Sequence, residues 1–84
     1  MIRLRSDVQW RKDGDLPGYL FAGSTGSIYG LNATAAALLE ALSDDPDQDR
    51  LVRVLTDTFD VDRLEAEQDV LAFVSALREH GLVA

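Results

Sequence analysis

Hydrophobic and polar positions change their period once along this chain. Through the first 31 residues they alternate. Residues 8–12 set Val8, Trp10 and Lys12 against Gln9 and Arg11, the two-residue period of a half-buried strand. Asp13-Gly14-Asp15-Leu16-Pro17-Gly18 is dense in turn formers, Tyr19-Leu20-Phe21-Ala22 is a short aromatic and aliphatic run, and Gly23-Ser24-Thr25-Gly26 is a second turn. Ser27-Ile28-Tyr29-Gly30-Leu31 then reads as a third strand. Two short connections in succession predict an antiparallel meander.

From Asn32 onward the period is helical. Asn32 suits an N-cap, and residues 33–42 are rich in strong helix formers, with Ala35, Leu38, Leu39 and Leu42 on one face. Asp44-Asp45-Pro46 ends that helix, within the linker-like stretch 43–49. Asp47 can cap a second helix, with Leu51, Val52, Leu55 and Phe59 as its stripe. Asp62 and Glu65 have the spacing of a capping box, which starts a third helix running from about Arg63 to His80. Gly81 is placed to end it in the left-handed conformation. The order predicts an α+β domain, a three-stranded antiparallel sheet followed by three helices, with helices two and three closely paired.

The third helix carries more apolar surface than one stripe requires. Phe73, Ala66, Leu77, Val70, Val74, Leu71 and Leu64 spread over roughly half its circumference, against about 100° for a single core-facing stripe. Two readings fit: a central helix packed on both sides, or a helix with one flank in the core and Val74, Leu71 and Glu67 lining a groove. The third strand is an edge of the meander and has neither proline nor charge, so little guards it against pairing with another chain. Covered by its own helix, it is ordinary structure. Left open, it can accept an extended peptide by strand addition.

Composition narrows the choice of function. The 84 residues, 46% hydrophobic and 27% charged, suffice for one domain, 1–84, with a thin core. Net charge is −7, unevenly placed: residues 1–31 hold four basic and three acidic side chains, residues 32–84 four and twelve. That balance disfavours phosphate neutralisation, hence nucleic acid as a partner, and reads either as the solubility of exposed helix faces or as a surface that attracts a basic peptide. Cysteine is absent, which removes thiolate ligands and nucleophiles and suits a reducing cytoplasm. The single histidine, His80, builds neither a metal site nor a catalytic relay alone. No apolar run is long enough for a membrane span, and residues 1–5 lack the apolar region of a signal peptide. Ser43, followed by Asp44-Asp45-Pro46, does not have the setting of an acyl-carrier serine, and Gly23-Ser24-Thr25-Gly26 lacks the lysine of a phosphate loop. No catalytic residues, cofactor or metal are expected.

Tyr29-Gly30-Leu31-Asn32-Ala33-Thr34-Ala35 before a leucine-rich helix resembles the strand-to-helix signature of PqqD-like proteins. Asp69-Val70-Leu71-Ala72-Phe73-Val74, then Leu77 and Gly81-Leu82-Val83, resembles that family's last helix and tail. The likeness covers residues 8–83, with short, mostly apolar motifs whose order and spacing carry the specificity. The family comprises recognition elements for ribosomally made, post-translationally modified peptides, winged helix-turn-helix-like domains that take a precursor's leader as an added strand. The stand-alone size is most similar to the recognition proteins of lasso-peptide biosynthesis. The resemblance therefore implies a non-catalytic adaptor presenting a leader segment to a separate leader peptidase. It also admits a PqqD-type chaperone serving a radical-SAM enzyme. A winged-helix DNA binder is a lesser alternative, since helix three sets Arg63 and Arg78 against Glu65, Glu67, Asp69 and Glu79. By position, Ser27, Ile28, Tyr29 and Gly30 would pair with the leader. Val70, Leu71 and Val74 would form an apolar wall, and Glu67 or Asp69 would meet a leader Lys or Arg. Phe73 and Leu77 are expected in the core. Leu38 and Leu39 stand where family members often carry a tryptophan, a departure that touches core packing only.

Overall fold

The computed structural model describes residues 2–42 and 47–84. Strands β1 (Val8–Asp13), β2 (Leu16–Ala22) and β3 (Ser27–Gly30) form an antiparallel sheet in the order β1-β2-β3. Helices α1 (Ala33–Leu42), α2 (Gln48–Thr58) and α3 (Arg63–Glu79) follow. This is the α+β, winged helix-turn-helix-like order that the hydrophobic pattern and the family resemblance predict. Residues 43–46, including Asp44-Asp45-Pro46, lie outside the described residues.

One strand differs from the sequence reading. Leu16, Pro17 and Gly18 belong to β2 rather than to the preceding turn. The pairing register shifts between Arg11 and Asp13, and Gly18 adopts φ +78°, so a bulge carries the strand through its turn-forming residues. A Cβ at Gly18 would overlap the Arg11 carbonyl oxygen, which makes glycine the residue that fits. The Trp10 indole Nε1 donates to the Pro17 carbonyl at 2.8 Å and ties the hairpin together.

Helix starts follow their caps. Asn32 Oδ1 accepts from the Ala35 amide, Asp47 from Arg50 and Asp62 from Glu65, each at 2.8 Å. Each cap is worth about 1 kcal/mol. α3 ends at Glu79, with His80 as its C-cap and Gly81 at φ +68°. The Leu82 amide bonds the Leu77 carbonyl at 2.8 Å and the Gly81 amide the Arg78 carbonyl at 3.1 Å, the paired bonds of a Schellman ending. That turn drops Leu82 into the core.

The core lies between the inner face of the sheet and the helices. Val8, Leu20 and Ala22 meet Leu38, Leu39 and Leu42 of α1, Leu51, Val52 and Leu55 of α2, and Ala66, Val70, Val74 and Leu77 of α3. The two ends of the chain are joined as well, a feature the hydrophobic pattern did not foretell. Leu4 bridges Val83, with bonds from the Arg5 amide to the Leu82 carbonyl and from the Ala84 amide to the Arg3 carbonyl, both 2.9 Å. Leu82 and the chain ends thus hold the C-terminus of α3 beside the sheet.

Candidate functional site

β3 stands at one end of the sheet and, among the described residues, has β2 as its single strand neighbour. In an antiparallel ladder, only alternate residues turn their N–H and C=O toward a given neighbour. The Leu31 amide bonds the Gly18 carbonyl at 3.2 Å, which fixes that parity. Ser27 and Tyr29 therefore direct their backbone groups to β2, while Ile28 and Gly30 direct theirs away from the sheet. Side chains alternate the other way. Tyr29 lies on the inner face, across from buried Leu20, and Ile28 lies on the outer face, 65% exposed.

Beside this edge runs a cleft of about 390 Å³ between the end of β3, the start of α1 and one flank of α3. Its floor is apolar: Leu20, Leu77 and Leu82 are all buried. Tyr29, Gly30 and Leu31 form one side, with Thr34 and Ala35 at the start of α1. Asp69, Ala72, Phe73, Ala76 and His80 form the other. Their spacing of three, four, seven and eleven residues from Asp69 places them along one face of α3. The Tyr29 and His80 rings meet across the cleft at 4.8 Å, tilted by 44°. From Asp69 to His80 the helix rises roughly 16 Å, about five residues of extended chain.

Of the residues singled out in the sequence, the structure brings Tyr29, Gly30 and Asp69 together at the cleft, with Ser27 and Ile28 on the same strand. Val70 and Val74 are elsewhere: 0% and 8% exposed, they pack into the core with Ala66 and Leu77, so they do not form a wall open to a guest. Leu71 is 53% exposed but lies on the flank of α3 away from the cleft. Glu67 is on that flank too. It accepts from Arg63 Nε at 3.1 Å, and Arg63 also meets Asp49 of α2 at 3.5 Å, so Glu67 faces α2. Phe73, expected in the core, is half-buried and lines the cleft.

Three residues of the wall that faces β3 were missed because none carries a large aliphatic side chain. Ala72, Ala76 and His80 lie on the flank of α3 opposite Leu71. The available signal was the pair of alanines one turn apart, which lets a guest backbone come close to the helix. The arrangement offers outward main-chain groups, an apolar floor and one carboxylate, Asp69. Among the described residues, no group of three or more His, Asp or Glu side chains is placed to hold a metal ion.

An α+β domain with an unpaired edge strand beside a helix-walled cleft is the class that fold and site define. The sequence profile described as "Coenzyme PQQ synthesis protein D (PqqD)" matches residues 18–83, and the chain belongs to that family. No curated protein matches the chain. Two solved structures are similar. "Lasso peptide synthetase B1 complexed with the leader peptide" is 32% identical, covers 99% of this chain and 96% of its own, and superposes with a TM-score of 0.86. "TbiB1 in Complex with the TbiA(beta) Leader Peptide" is 23% identical, with coverage of 96% and 93% and a TM-score of 0.86, and shares the fold.

Proposed function

We propose that this chain is a non-catalytic, cytoplasmic adaptor of lasso-peptide biosynthesis. It binds the leader segment of a ribosomal precursor peptide as a fourth strand on β3 and presents it to a separate leader peptidase. The observation that carries this reading is the edge of β3, where the backbone groups of Ile28 and Gly30 point away from the sheet beside a cleft as long as a short strand. The structure 32% identical to this chain is itself a complex with a leader peptide, which supports the same reading. Ile28 and Gly30 supply the ladder, Ser27 and Tyr29 hold β3 to β2, and Asp69 meets a basic leader residue. Val70 and Val74 serve from beneath by fixing α3. Glu67 and Leu71 stay outside the contact. A tethered precursor reaches its peptidase at raised effective concentration, so the adaptor accelerates processing without taking part in the chemistry.

Calorimetric titration of a synthetic leader tests this reading, with dissociation constants of micromolar to nanomolar order expected, about −8 to −12 kcal/mol. Proline at Ile28 or Gly30 removes an outward amide and no bond to β2, so binding is lost while the circular dichroism of the fold persists. Equal titration of the leader by both variants and the parent would refute strand addition.

A further inference from the structure

The outer face of the sheet, turned away from the helices, is ordered in rows running toward the open edge. Cross-strand register sets Gln9, Phe21 and Ile28 in one row and Arg11, Tyr19 and Gly30 in the next. The first row ends at the edge in a large, exposed side chain, Ile28. The second ends in a gap. A Cβ built on Gly30 meets no heavy atom within 4 Å, and its φ is not in the left-handed region, so neither crowding nor strain demands a glycine there. Tyr19, half-buried, brings no atom within 4 Å of that Cβ. The result is a notch on the outer face, bordered by Ile28 along the strand and by Tyr19 across it, and open at the edge where a fourth strand would lie.

Resting on the strand-addition reading, we infer that this notch is a second recognition subsite, which takes one aromatic side chain of the guest laid flat across Gly30 toward Tyr19. A guest strand alternates like any other. Residues on the Tyr29 side enter the cleft, and the residue between them, beside Gly30, emerges over the notch. The guest strand lies roughly 9–10 Å from β2, two strand spacings, and only a ring lying over a bare glycine covers most of that distance. Aromatic cover of a glycine at a sheet edge is a recognised stabilising contact, and Tyr19 offers the ring with which to pair. Arg11, in the same row, disfavours a guest lysine or arginine. The adaptor thereby reads three consecutive residues, in, out and in, on two faces of its own sheet.

The test uses a displayed library of random twelve-residue peptides selected on the whole protein. A selected peptide is scanned with alanine against the parent, Gly30→Val and Tyr19→Ala. Valine suits a strand and meets open space at this position, so Gly30→Val keeps the fold and the outward amide while closing the notch. One aromatic peptide residue is expected to cost roughly three- to tenfold in affinity when replaced by alanine in the parent, and less than twofold in either variant. If no peptide is enriched, or if enriched peptides bind Ile28→Pro as well as the parent, strand addition itself fails and the subsite with it. If peptides bind through β3 but none of their residues couples to both Gly30 and Tyr19, strand addition stands and the notch is overturned.

Discussion

A methyl group added at Gly18 runs into the Arg11 carbonyl, and one added at Gly30 meets nothing. Two glycines on neighbouring strands therefore answer to different demands, one from inside the fold and one from outside it. Gly18→Ala combines a positive φ with that overlap and is expected to cost more than about 2 kcal/mol in denaturant unfolding. Gly30→Ala is expected to leave stability unchanged or raise it by up to about 1 kcal/mol. Equal losses at the two sites would show that Gly30 is structural after all. Asp7 supplies a pH-dependent tie of the same local kind. Hydrogen bonds from the Ser24 side chain and then the Ser24 amide, with a smaller pull from Arg5, hold its carboxyl below the ordinary value. A lowered folded pKa means that the tie is complete above pH about 4 and is lost as pH falls through the folded value. The parent is therefore more stable than Asp7→Asn at pH 7, and the difference vanishes on acidification. A difference that does not shrink as pH falls below about 4 would assign Asp7 a role other than its charge.

At the scale of elements, α3 decides both the core and the cleft. Its buried residues, Ala66, Val70, Val74 and Leu77, form a narrow stripe, and the cleft lies on the flank toward β3. Ala76→Leu adds bulk to an exposed position on that flank, so leader affinity is expected to fall at least tenfold with unfolding unchanged. Leu71→Ala, on the far flank, leaves affinity unchanged, and Val70→Ala costs about 2 kcal/mol of stability. Loss of binding on Leu71→Ala with none on Ala76→Leu would place the peptide on the other side of the helix. This division explains what the sequence could disclose. The three strands, three helices and their caps were legible because alternation, capping residues and turn formers act locally. The β2 bulge was not, because Leu16-Pro17-Gly18 looks like a turn until Gly18 is seen under Arg11. The joined chain ends were not, because the Leu4–Val83 bridge couples the extremes of the chain. Within the site, β3 was legible from its uncharged, proline-free sequence. The α3 wall was not, because hydrophobicity points to Val70, Leu71 and Val74, whereas a groove for a backbone is made by what α3 lacks at Ala72 and Ala76.

For the whole molecule, the fold sets an acidic helical layer against a nearly neutral sheet, and the net charge of −7 acts on any peptide that approaches. Such a field speeds the encounter with a basic chain and is screened beyond about 8 Å at physiological ionic strength. A contact inside the cleft is screened less. The two contributions separate because Asp69 and Glu67 are neighbouring carboxylates on one helix, of which Asp69 alone lines the cleft. Asp69→Asn and Glu67→Gln each raise the net charge by one, so the distant field changes equally in both. A leader bearing a lysine at the cleft is expected to lose about three- to fivefold in affinity with Asp69→Asn, the effect of one partly exposed ion pair. Glu67→Gln is expected to change the association rate at low salt and leave affinity in 0.15 M salt within twofold. A leader with that lysine replaced by glutamine would not distinguish Asp69→Asn from the parent. Equal losses for the two variants, growing together as salt is removed, would mean that the adaptor attracts its peptide by total charge alone and that the cleft carboxylate selects nothing.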